Sequence, residues 1–98
     1  MSKFIVLADR INVGETLAIS EAVKEHSSGW WHHHADTWIV NGHTAAKWRD
    51  IVKKCLDPGP SSVLVLQLPE SKAERGWAYS GPKAKVRCEW IRKNYRGG

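Results

Sequence analysis

Residues 29–40 read G-W-W-H-H-H-A-D-T-W-I-V, and the reading of this stretch decides the fold. It holds three of the chain's six tryptophans and three of its five histidines. Aromatic and β-branched side chains suit the pleated surface of a sheet, while Ala35 and Asp36 are small and turn-prone. The pattern predicts two short strands, Trp30 to His34 and Thr37 to Asn41, closed by a tight turn. One unbroken strand would be long against the usual ~5–6 residues, and the topology would differ.

Upstream of the hairpin, Phe4 to Ala8 is a continuous apolar run. Such a run predicts a strand buried on both faces and central in its sheet. Asp9 and Arg10 follow it. Asn12 and Glu15 have the spacing of a capping box, with Asn in place of the usual Ser or Thr. A helix is expected from there to about Ser28, burying Ile19, Ala22, Val23 and His26. Downstream, Gly42 ends the hairpin and Thr44 is a natural N-cap for a helix to Leu56. Its apolar stripe is Ala45, Trp48, Ile51, Val52, Cys55 and Leu56, and Asp57-Pro58-Gly59-Pro60 stops it. Ser62 to Leu68 predicts a second apolar strand, and Pro69 to Gly76 a polar connection. Trp77 to Ser80 suits a short extra strand. Pro82 suits the first turn of a helix over Lys83 to Tyr95, with Ala84, Cys88, Ile91 and Tyr95 on one stripe.

This order is that of an α+β protein with a ferredoxin-like βαββαβ sandwich, extended by a C-terminal short strand and helix. Residues 1–98 form one domain, with the core in 3–68 and a basic extension over 69–98. The last core strand is then a sheet edge, and Val63 to Leu68 is too apolar to stay bare. Either Trp77 to Ser80 or the same segment of a second copy is expected to cover it. The sheet face away from the helices also needs a lid, from the C-terminal helix or from a two-fold mate. A symmetric homodimer is the expectation.

Hydrophobic residues make up 42% and charged residues 26%, the balance of a soluble globular protein rather than a disordered one. No apolar run approaches the ~20 residues that span a bilayer, so no membrane partner is expected. Phe4 to Ala8 is too short for a signal peptide, and a cytoplasmic location follows as the expectation. Cys55 and Cys88 fall on predicted helices and are read as a reduced pair of small core residues. Net charge is +5. Lys and Arg balance Asp and Glu through residue 68, so the excess lies beyond it: Lys72, Arg75, Lys83, Lys85, Arg87, Arg92, Lys93 and Arg96 face only Glu70, Glu74 and Glu89. A basic end on a neutral body points to an anionic partner, DNA or RNA first, and equally suits a solvated helix face.

The strand ending in Asp9, the W-W-H at 30–32, the T-W-I-V at 37–40, the apolar strand at 63–68 and the G-W-A-Y at 76–79 together resemble the SinR-family proteins. These are similar to the second CRISPR-associated (Cas-two) protein, the structural subunit of spacer acquisition. The resemblance covers residues 3 to about 80. It implies a ferredoxin-like dimer in which a C-terminal strand crosses to the mate. It also implies a role for Asp9, because in the Cas-two group an aspartate ends the first strand and two copies approach closely enough to hold a metal ion. Paired carboxylates can bind magnesium and orient a water at a phosphodiester. The sequence departs from the group at Ala8, where an aromatic residue is common, and in Arg10, whose charge serves a phosphate or opposes a metal. The group's role is scaffolding, with the aspartate dispensable in several members.

Three functions follow as expectations. The first is nucleic-acid binding or scaffolding without robust catalysis, carried by Arg10, Lys83, Lys85, Arg87, Arg92, Lys93 and Arg96. The second is a magnesium-dependent nuclease using Asp9 from both subunits, the one case that needs a cofactor. The third is a protein-binding accessory or inhibitor from a mobile element, engaging its partner through Trp30, Trp77 and Tyr79. Trp30, Trp31 and Trp38 can also form a stacking platform for bases, unless Trp31 or Trp38 packs beneath the helices. Strand alternation places His32 and His34 on one side and His33 on the other, too few on either for a closed zinc site, so no native metal site is expected. Half-exposed histidines make solubility or dimerisation pH-dependent between about 5.5 and 7.

Overall fold

The computed structural model describes residues 2–69 and 80–94. The elements run β1 (Lys3–Asp9), α1 (Val13–His26), β2 (Trp30–His34), β3 (Thr37–Asn41), α2 (Ala45–Lys53), β4 (Ser62–Leu68), α3 (Ala84–Arg87) and α4 (Glu89–Asn94). The protein is mixed α+β, and its sheet is four-stranded and antiparallel in the order β2-β3-β1-β4. The tryptophan-rich stretch does bend at Ala35 and Asp36, and both strand ranges match the sequence reading.

Alternation along β1 and β3 sorts the sheet into two faces. Phe4, Val6, Ala8, Trp38 and Val40 point to one side and are buried under Ile19 and Val23 of α1 and Trp48, Ile51 and Val52 of α2. This cluster is the main core. Trp48 also fixes the start of its own helix, since its indole Nε1 donates to the Gly42 carbonyl at 2.7 Å. Gly42 and His43 both have positive φ, 82° and 64°, and His43 is held there by a 2.8 Å contact from its Nε2 to the His26 carbonyl oxygen. Thr44 caps α2 as expected, accepting from the Lys47 N–H. Regular helix stops at Lys53, and tighter bonds from Cys55 N to Val52 O and Leu56 N to Lys53 O carry the chain on to Leu56.

Asn12 and Glu15 form the capping box at α1. Glu15 does more than the box requires. Its side chain is 4% exposed and also accepts from the Asp57 N–H at 2.9 Å and the Ser61 hydroxyl at 3.0 Å, pinning the α2–β4 loop to α1. The Asn12 N–H, then that of Asp57, hold its pKa below the ordinary value of 4.5 against the upward push of burial, with help from Ser61. The folded value lies below the unfolded one, so this contribution is complete above the ordinary value and is lost as pH falls through the lowered one. Glu15→Gln is therefore expected to lower the melting temperature at neutral pH and to flatten its decline below pH 4.5. Parallel acid limbs in thermal melts of the two proteins would contradict this.

Three expectations are corrected. The first strand is central, but only one of its faces is sealed: Ile5 and Leu7 are half-buried, because the lid on that face sits over β2. The helix expected over Lys83 to Tyr95 is not continuous among the described residues, and Tyr95 lies outside them. Lys83 takes a left-handed φ of 54°, and the helix breaks at Cys88 into α3 and α4, with Ala84 exposed and Cys88 and Ile91 buried. The third concerns the histidines. Trp31 pairs with Ile39 but His34 pairs with Thr37, so His32 and His33 together oppose Trp38. That bulge breaks the alternation. His33 and His34 both meet Trp31 edge-on, at 5.3 and 5.0 Å, and His32 stacks on Trp38 at 4.3 Å. The proposed strand at Trp77 to Ser80 lies outside the described residues apart from Ser80, which is not in a strand. Among the described residues β4 pairs with β1 alone, and Leu64 and Leu66 are 55% and 48% exposed.

Candidate nucleic-acid interface

The basic extension is seated on the sheet. In register, Trp31 lies opposite Ile39, and Ile39 opposite Ile5, so Trp31 belongs to the face away from α1 and α2. Trp31 is buried there, and its indole Nε1 donates to the Arg87 carbonyl at 2.6 Å, across the break between α3 and α4. Gly29, just before β2, lets α4 come close: a Cβ there would stand 3.0 Å from the Trp90 indole nitrogen and 3.2 Å from the Asn41 side-chain nitrogen. With Cys88 and Ile91 buried, α3 and α4 turn Lys83, Lys85, Arg92 and Lys93 outward, all exposed. Arg92 donates to the Lys85 carbonyl at 3.2 Å, and Lys93 pairs with Glu89 at 3.0 Å on the surface. Exposed pairs of this kind are weak, so Lys93 remains available to a phosphate. Arg87 is half-buried.

Asp9 and Arg10 belong to another place. Asp9 is exposed at the end of β1, opposite Ser62. The Ala8 N–H donates to the Asp36 carbonyl at 2.9 Å, which brings the hairpin turn to that same end of the sheet. Arg10 is exposed, with a left-handed φ of 55°, and its carbonyl accepts from the Ser61 hydroxyl at 3.0 Å. The candidates thus divide into a cationic surface on α3 and α4 and a mixed-charge corner at Asp9 and Arg10. Trp77, Tyr79 and Arg96 lie outside the described residues.

The stacking platform reduces to one indole. Trp38 is in the core, Trp31 is under the extension, and Trp30 alone of the three is exposed, at 39%. The histidines make no ligand set: among the described residues no group of three or more His, Cys, Asp or Glu side chains can hold a metal ion. His33 is held below the ordinary imidazole value of 6.5, first by burial and then by Arg87, His32 and His34. Cys55 and Cys88 are both free thiols, and burial pushes the Cys55 thiol up, away from reactivity near neutral pH. No helix among the described residues is long and apolar enough to cross a membrane.

The sequence reading missed Trp31 as the anchor of the extension, Trp90 against Gly29, and Glu15 as the tie to the loop. Only Glu15 carried a signal, its place in the capping box. No protein-family model matches the chain, and no curated protein matches it.

Proposed function

We propose that the chain is a cytoplasmic, homodimeric, ferredoxin-like protein that binds or scaffolds DNA or RNA without robust catalysis, as the SinR and Cas-two resemblance implies. One observation carries the reading: Lys83, Lys85, Arg92 and Lys93 are all exposed on helices whose other side is buried on the sheet. Charges held on a fixed surface beside a body of no net charge attract a polyanion without first having to be ordered. The ferredoxin-like assignment is supported by β1 lying between β3 and β4 with α1 and α2 packed on one side.

An electrophoretic titration against single- and double-stranded DNA and RNA, across salt and with or without magnesium, tests the function. Four neutralised phosphates on a duplex give a log–log salt slope of about −3.6, and so roughly 100-fold weaker binding at 200 mM than at 50 mM. Absence of any complex at low salt would reject the reading. Magnesium-dependent cleavage that vanishes in Asp9→Ala would favour the nuclease instead.

The homodimer is supported by Leu64 and Leu66, exposed beside half-buried Ile5 and Leu7 on the open face and next to the β4 edge. Leu66→Lys is expected to convert the dimer to monomer in sedimentation velocity without loss of helix or strand signal. A wild-type chain that sediments as a monomer at its highest soluble concentration would remove the dimer from the proposal.

A further inference from the structure

We infer that β4 is a pairing edge for a second copy of the chain: two β4 strands meet antiparallel about a two-fold axis at Val65, joining two four-stranded sheets into one. The inference rests on the homodimer reading above and gives that dimer a contact and a register. The contact is direct, with no C-terminal strand crossing to the mate.

The two edges of the sheet are built differently. At β2 the ladder is interrupted by the bulge between Trp31 and His34, and α4 packs against the strand. A bulge and a covering helix are among the devices that keep a sheet edge from pairing with another chain. β4 carries neither among the described residues. Its seven residues pair with β1 one for one, from Ser62 opposite Asp9 to Leu68 opposite Lys3, with no register shift. Ser62 to Leu68 also contains no charged residue and no proline. A regular, uncharged, apolar strand of this kind is a template for another strand.

The occupant that fits is the same strand. Val65 is the middle residue of β4, so an axis there leaves no residue of the strand unpaired, whereas an axis at Leu64 or Leu66 leaves two. It sets Val65 against Val65 and Leu64 against Leu66 of the second copy, with Val63 against Gln67 and Ser62 against Leu68. Side chains alternate along a strand, and residues directly opposite share a face. Val63 and Val65 pack against the main core, so Leu64 and Leu66 lie on the open face, in register with Leu7 and Ile5. Those leucines are 55% and 48% exposed. Pairing gathers both from each copy at the joint, flanked on either side by Ile5 and Leu7. No like charges meet, because the strand has none.

The experiment uses Leu64→Cys and Leu66→Cys in the full chain, oxidised separately and as a mixture, with the products resolved by non-reducing electrophoresis. Both positions are exposed, so the fold is expected to survive. Directly opposite residues have Cβ atoms about 4.5–5.5 Å apart, and diagonal neighbours stand about 7–8 Å apart. A disulfide needs about 3.5–4.5 Å, so position 64 reaches position 66 of the other copy but not its own equivalent. The expected result is a disulfide-linked dimer in the mixture that neither variant gives alone. Cys55 and Cys88 are present in all three samples and cannot produce a band confined to the mixture.

A second measurement uses the wild-type chain and carries the test if either cysteine variant is monomeric under reducing conditions. Alternate amides of an edge strand point away from its neighbour, so hydrogen exchange at every second β4 amide is expected to slow as protein concentration rises. A wild-type dimer in which the β4 amides exchange at the same rate at all concentrations would overturn the edge pairing and leave the homodimer standing. So would dimeric variants that give no link in the mixture, or that link as readily alone. A wild-type chain that sediments as a monomer at its highest soluble concentration would remove the homodimer and this contact together.

Discussion

Trp48→Phe is expected to destabilise the protein by about 1–3 kcal/mol more than Trp38→Phe, although both indoles are fully buried in one core. Each change removes the same atoms and leaves a similar void. The difference is the hydrogen bond. Trp48 Nε1 donates to the Gly42 carbonyl at 2.7 Å, so phenylalanine leaves that acceptor without its partner at the start of α2. Trp38 Nε1 is buried with no hydrogen-bond partner among the described residues, so phenylalanine there removes an uncompensated donor. For a domain of this size a gap of 1 kcal/mol corresponds to about 4–8 °C in melting temperature. Trp48→Ala adds a cavity cost of about 3–5 kcal/mol to the orphaned carbonyl. Typical stabilities are only about 5–15 kcal/mol, so that variant is expected to be largely unfolded. Equal melting temperatures for the two phenylalanine variants would show that the Gly42 contact contributes nothing.

Replacing Lys83, Lys85, Arg92 and Lys93 together by glutamine is expected to weaken duplex binding at low salt by about 100-fold or more and to remove most of its salt dependence. The four side chains are exposed and the buried side of the extension is Cys88 and Ile91, so the fold is expected to survive. The informative control is the equally exposed set on and just after α2: Lys47, Arg49, Lys53 and Lys54. Arg49 there is paired with Asp50 at 3.0 Å. Glutamine at those four positions is expected to change the slope little. If both quadruple variants lose affinity alike, the surface on α3 and α4 has no special part and binding reflects net charge alone.

The local signals in the chain were strong where chemistry is local. The hairpin was legible because aromatic and β-branched residues flank a turn-prone pair, and the observed strands start and stop where that reading put them. The caps at Asn12 and Thr44 were legible because a side chain reaching the N–H three residues on needs no distant partner. The histidine geometry was not. Period-two alternation is the default in a strand, and the extra residue that breaks it is visible only once Trp31 is paired with Ile39 and His34 with Thr37. The candidate interface was half legible: composition located the cations, but not the burial of Cys88 and Ile91 that turns them outward.

By itself, the sequence determined the strands and helices between residues 3 and 68 to within a few residues, the caps at Asn12 and Thr44, and that positive charge gathers at one end. These follow from backbone preferences and from counting, which act within a few residues. Tertiary structure alone decided that Trp31 would lie beneath the extension, that β4 would form an edge with Leu64 and Leu66 exposed, and that Glu15 would hold a loop some forty residues away. Those outcomes depend on which surfaces meet when the sheet assembles. The apolar pattern says that a side chain must be buried but does not name the neighbour that buries it.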